Sequence, residues 1–126
     1  MKKMLMSLAL VLGLVVSFLP NSASAVGFDY NLDSYEHWGT SPVTTGYPYL
    51  IFTINQTSGE SFVDVQRLSN GSWVTLSGGL SKVIYGAEKI DIKVPVYSSS
   101  TQYRVFVKTG AFGWNTVGHV GYKGSW

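Results

Sequence analysis

The chain contains no cysteine. That absence excludes a disulfide framework, a thiolate metal site and a lipid-modified cysteine behind a leader, so the fold must stand on packing alone. Charge is sparse too: Asp, Glu, Lys and Arg make up 13% of the residues, and the only histidines are His37 and His119. Helical patterning is also missing, since no apolar 3.6-residue period after the N-terminal run exceeds one turn. There is no internal repeat and no low-complexity tract.

What is present begins with a leader. Lys2 and Lys3 precede an apolar run from Met4 to Leu19 that ends at Pro20, and S-A-S-A follows with Ala23 and Ala25 in an A-x-A arrangement. This is the order of a secretory signal peptide, and the run is shorter than the ~20 residues a spanning helix needs. We expect cleavage after Ala25, leaving residues 26–126 as one domain that is secreted, extracellular, monomeric and without stable membrane insertion. Its short Lys-Lys form is bacterial in type, so the sequons at Asn55 and Asn70 read as ordinary turn sequence. The two leader lysines account for the whole formal charge of +2, so the mature chain is neutral. With no Lys/Arg cluster after Val26, a nucleic-acid partner is not expected.

Alternation with a period of two dominates the mature chain. Phe28, Tyr30 and Leu32 mark a first edge strand, followed by a Gly/Pro/Ser/Thr loop over residues 39–46. Tyr47–Ile54 is a strong strand with Pro48 at its start, and Asn55–Glu60 reads as a turn. Val63 and Val65 alternate with Asp64 and Gln66 in the next strand. Asn70-Gly71 then predicts a type I′ hairpin returning along Trp73–Leu76. Residues 77–86 are interrupted by glycine, with Leu80, Val83 and Ile84 turned inward. Ile90, Ile92, Val94 and Val96 form the cleanest inward face, and Tyr103, Val105 and Val107 alternate with Arg104, Phe106 and Lys108. A last strand covers residues 116–122. About seven short strands separated by turn residues predict an all-β, antiparallel β-sandwich, with Phe52, Val65, Ile90, Ile92, Tyr103 and Val105 in its core.

The run V-D-V-Q-R-L-S-N-G-S-W-V-T-L and the strand T-Q-Y-R-V-F-V resemble the middle and sixth strands of immunoglobulin-like and fibronectin type III-like modules of secreted bacterial proteins. The resemblance spans residues 47–108, about three-fifths of the mature chain. It implies an immunoglobulin-like sandwich with Tyr103 at the tyrosine-corner position and Trp73 as the core aromatic. Modules of this kind serve as spacers or as binding domains for carbohydrate or protein. The missing Cys pair and the place of Trp73, after the hairpin rather than before it, set the chain apart from antibody domains.

Nothing in the chain assembles a catalytic signature. There is no G-x-S-x-G elbow, and the nearest carboxylate pair, Glu60 and Asp64, reads as a turn residue and a solvated-face residue. Asp29, Asp33, Glu36 and His37 crowd together in sequence, but no Asx-rich calcium loop and no second histidine at ligand spacing accompany them. No enzyme, metal or cofactor is expected. Aromatic residues are the surplus, 14% of the chain. Phe106 points opposite to the inward residues of its strand, Phe112 and Trp114 lie in the Gly-flanked connection T-G-A-F-G-W-N, Tyr122 falls in the last strand, and Trp126 has no strand to hold it. Phe112 and Trp114 either plug the open end of the sandwich or stand out as a stacking platform. With Phe106 and Tyr122 beside them they would seat a cell-envelope polysaccharide or envelope protein. A secreted antimicrobial or toxin-like protein is the alternative.

Intact-mass measurement of the secreted protein should give a chain that starts at Val26. A mass higher by the whole leader would overturn the compartment and the charge balance together.

Overall fold

The computed structural model describes residues 27–77 and 80–126. The expected leader and its cleavage point lie outside these residues. Among the described residues the chain forms nine strands: β1 Gly27–Leu32, β2 His37–Gly39, β3 Tyr49–Ser58, β4 Glu60–Ser69, β5 Ser72–Thr75, β6 Ser81–Tyr85, β7 Glu88–Pro95, β8 Tyr103–Lys108 and β9 Thr116–Ser125. They make two antiparallel sheets. One has the order β1–β9–β3–β7; the other has β2–β8–β4–β5, with β6 on the same edge of β4 as β5. Seven of the strands are those expected from the alternation, and β2 and β6 are additions.

Period-two patterning decides which faces meet. Leu50, Phe52, Ile54, Ile92, Val94 and Val120 from the four-stranded sheet are buried against Val63, Val65, Ile84, Tyr103, Val105 and Val107 from the other, in one core cluster. Burying such side chains contributes about 1.5–3 kcal/mol each, the main force holding the two sheets together. Ile90 is a correction: it packs on this cluster but is only half-buried, because it lies near the start of β7, next to the turn at Gly86 and beyond the buried Ile92 and Val94. Val83 is another, since it faces solvent while its neighbour Ile84 is buried. Trp73 is not a core residue either. It sits half-buried on β5 with the Arg104 guanidinium 4.5 Å from its ring centroid, because β5 is an edge strand whose outward face carries it.

Two turns carry backbone demands that their residues meet. Asn70 and Gly71 both adopt positive φ, 51° and 80°, as a type I′ hairpin requires. Gly59, at φ 93°, lets the chain pass from β3 in one sheet to β4 in the other; a side chain there would collide with Thr116. Tyr103 ties a third corner, its hydroxyl accepting the Tyr97 N–H at 2.9 Å and donating to the Pro95 carbonyl at 3.4 Å.

The expected turn at residues 55–60 is in fact strand as far as Ser58. Gln56 continues the inward series of β3 and is fully buried. Its Oε1 accepts from the Tyr30 hydroxyl at 3.1 Å and the Ser61 hydroxyl at 2.6 Å, and its Nε2 donates to the Gly59 and Gly86 carbonyls at 3.3 and 3.0 Å. A buried amide left unpaired would cost on the order of 1–3 kcal/mol, so the network is what permits this polar residue in the core.

Val105→Ala removes two methyl groups from the centre of the cluster and should cost about 1–3 kcal/mol in chemical denaturation. An unchanged midpoint would show the face assignment of β8 to be inverted. Burial pushes the Tyr30 phenol up to about 12, against a smaller opposite pull from Ser61. Between pH 10 and 12 the unfolded chain then loses a proton that the native state keeps, so stability falls as pH rises through this window. Tyr30→Phe should lower stability at neutral pH by about 1 kcal/mol through the lost hydrogen bond. It should also flatten the alkaline decline, and an identical decline in both proteins would refute the assignment.

Candidate functional site

The connection between β8 and β9 is short, and its backbone is pinned from three sides. Thr109 is the first anchor: its N–H reaches the Glu36 carbonyl at 2.9 Å, while its hydroxyl accepts the Glu36 N–H at 2.9 Å and donates to the Asp33 carbonyl at 2.5 Å. From the turn between β1 and β2, the Tyr35 N–H binds the Gly110 carbonyl at 3.2 Å and the Ser34 hydroxyl binds the Ala111 carbonyl at 3.1 Å. On the other flank the Ser58 hydroxyl donates to the Asn115 carbonyl at 2.7 Å, and Thr116 closes the loop by donating to the Gly113 carbonyl at 2.6 Å. Gly113 is buried against Thr109, leaving no room for a side chain, and Asn115 takes a left-handed φ of 54°.

The two aromatic side chains therefore leave a fixed backbone and do not fold inward. Phe112 is 65% exposed and Trp114 58%, with ring centroids 6.0 Å apart in an edge-to-face arrangement. They are not a plug over the open end of the sandwich. Beside them lies a cleft of about 440 Å³ lined by Ser58, Gly59, Glu60, Phe112, Trp114 and Asn115. The β3–β4 corner contributes Ser58, Gly59 and Glu60 to the lining, and Asn115 comes from the loop itself. On the adjoining turn Tyr35 is 78% exposed at a positive φ of 58°, a third ring presented at the same end.

No known family model matches the chain, and no curated protein is significantly similar to it in sequence.

Phe106 and Tyr122 do not join this group. Tyr122 pairs with the buried Phe52 and points between the sheets, stacked on Phe28 at 6.0 Å. It lies six residues along β9 from Thr116, about 20 Å from the loop at the ordinary strand rise. Alternation counted from the buried Thr116 gives its inward direction. Phe106 does face outward, as expected, but from the middle of the five-stranded sheet, where the His37 ring packs on it at 5.6 Å. Trp126 is held by Tyr47, edge-on at 5.3 Å, at the opposite end of β9.

The acidic and histidine residues near the N-terminus are also separated. Asp29 projects from the four-stranded sheet and meets His119 Nδ1 at 2.7 Å, whereas His37 belongs to the other sheet and Glu36 accepts the Asp33 N–H at 2.5 Å. Among the described residues no three His, Asp or Glu side chains converge. Tyr35, Ser58, Glu60 and Asn115 are the site residues that sequence reasoning did not select. Asn115, in a Gly-rich loop, carried the one available signal, its tolerance of left-handed backbone.

Proposed function

We propose that the protein is a secreted, non-enzymatic binding domain that holds a cell-envelope polysaccharide at the end of the sandwich carrying Phe112 and Trp114. One observation carries this reading: two large rings stand exposed on a backbone loop fixed by seven hydrogen bonds from neighbouring elements and from within the loop. Exposed aromatic surface on a rigid loop has no role in the core, and the ordering cost of binding has been met in the fold. Sugar rings present C–H faces that stack on such surfaces, and the Glu60 carboxylate with the Asn115 amide supplies polar partners for hydroxyls.

The resemblance to immunoglobulin-like modules fits this role in part. Pairing of β3 with β7 and of β4 with β8, and the Tyr103 hydroxyl bonded back to residues 95 and 97, match such a module. Its last strand would lie beside β8; here β9 lies between β1 and β3. That exchange carries the connection from β8 to β9 across the end of the sandwich and gives Phe112 and Trp114 their position. Fold similarity alone does not choose a ligand, so the argument rests on the loop.

Trp114→Ala should leave the melting temperature within a degree or two and lower retention on cell-wall fractions at least tenfold. Unchanged retention by a folded variant would overturn the proposal. Retention that disappears when the fractions are first treated with protease would identify an envelope protein as the ligand instead.

A further inference from the structure

β8 runs through the interior of the five-stranded sheet, and its outward residues form a line: Arg104, Phe106 and Lys108 at positions i, i+2 and i+4. Arg104 is set between two rings, its guanidinium carbon 4.5 Å from the Trp73 centroid and 5.3 Å from that of Phe106. Nε donates to Gln66 Oε1 at 2.7 Å, which fixes the rotation of the group. Gly39 on β2 leaves space beside Nη1, where a Cβ would come within 3.1 Å.

Among the described residues this cation makes no salt bridge. Among the described residues, which include every acidic residue of the chain, the one contact between a carboxylate and a basic side chain at salt-bridge distance is Asp29 with His119. Asp64 is opposite Phe106 on the same face, but its carboxylate accepts the Ser81 hydroxyl at 2.7 Å and makes no salt bridge with Arg104. Partial burial holds the Arg104 pKa below the usual guanidinium value, as expected for a charge with fewer waters and no partner. The Nη groups, fixed in orientation and without a hydrogen-bond partner among the described residues, form a planar fork of the kind that binds an oxyanion bidentately. Lys108 lies about 13 Å further along the strand at the usual rise, next to the Thr109 anchor of the aromatic loop.

We propose that the outward face of β8 is a second subsite of the same surface, in which Arg104 and Lys108 recognise acidic groups, carboxylate or phosphate, carried on the polysaccharide bound at Phe112 and Trp114. Trp73 and Phe106 hold the guanidinium between them and so keep its fork in place for the anion. The inference rests on the polysaccharide reading and narrows it: the ligand is an acidic glycan, and its chain runs from the loop along β8 toward Trp73.

The test compares binding of oligogalacturonate with its methyl ester, which keeps the sugar backbone and removes the charge, and with phosphate-substituted dextran against plain dextran. Wild-type protein should prefer the charged member of at least one pair tenfold or more. The pair that responds identifies the anion. Arg104→Gln should abolish that preference and leave binding to the neutral polymer unchanged, while Trp114→Ala should weaken both. Since Arg104 packs between two rings, the exposed Lys108→Gln serves as a second variant, with a two- to threefold loss expected for the charged polymer alone. Equal affinity for charged and neutral polymers, or a preference that survives both variants, would overturn the subsite and leave the binding loop standing. Absence of binding to every polymer and to cell-wall fractions would remove both.

Discussion

The side chain of Gln56 is the constraint on which the site end of this molecule depends. Among the described residues it is the one long polar side chain fully enclosed in the core, and its two oxygen-bound and two nitrogen-bound hydrogen bonds reach four different places: β1, the Gly59 corner, β4 and the turn between β6 and β7. An apolar residue of equal size would fill the volume but would leave the Gly59 and Gly86 carbonyls without this donor. The amide therefore does more than satisfy itself. It joins both sheets where the chain crosses between them, and a direct bond from the Gly86 N–H to the Gly59 carbonyl at 2.7 Å closes the same knot.

From that knot the geometry of the cleft follows. Ser58 and Glu60 flank Gly59, so fixing the corner also fixes the hydroxyl that holds the Asn115 carbonyl and the Glu60 residue that lines the cleft. Thr116, at the start of β9, completes the link by accepting the Glu60 N–H at 3.2 Å. The aromatic loop is thus fastened to a corner that is itself fastened to the core. A loop connected only through its own ends would have to be ordered on binding, at about 0.5–1.5 kcal/mol for each immobilised side chain.

Strand faces were legible wherever one face is apolar and the other wet. β4, β7 and β8 show their alternation without ambiguity, and the Asn70-Gly71 hairpin is specified by backbone chemistry within two residues. What could not be read has a common physical origin in partners distant along the chain. Gln56 looks like a turn residue because its four partners lie on other elements. β2 is three residues long and exists only by pairing with β8, and β6 gains its place from β4. Trp73 resembles a core residue by type, yet a large ring on an edge strand can be satisfied by lying over an arginine. Of the site, Phe112 and Trp114 were visible because glycines flank them, whereas Tyr35 and Glu60 come from turns whose proximity depends on the corner.

The position of β9 connects these observations. Had the last strand paired beside β8, the connection would have been a hairpin within one sheet, and Phe112 and Trp114 would have stood at its tip with little to brace them. By crossing to the other sheet, the chain must span the open end of the sandwich, and there it meets both the β1–β2 turn and the β3–β4 corner. The same crossing leaves the other side of β8 to β2, which pairs Gly39 with Phe106, and to residues 40–43, which continue along β8 to the Val43–Tyr103 bridge. The residue beside the guanidinium is Gly39, which has no side chain to cover it. One topological choice both braces the aromatic loop and leaves the charged face of β8 open, which is why loop and face are read here as parts of a single surface.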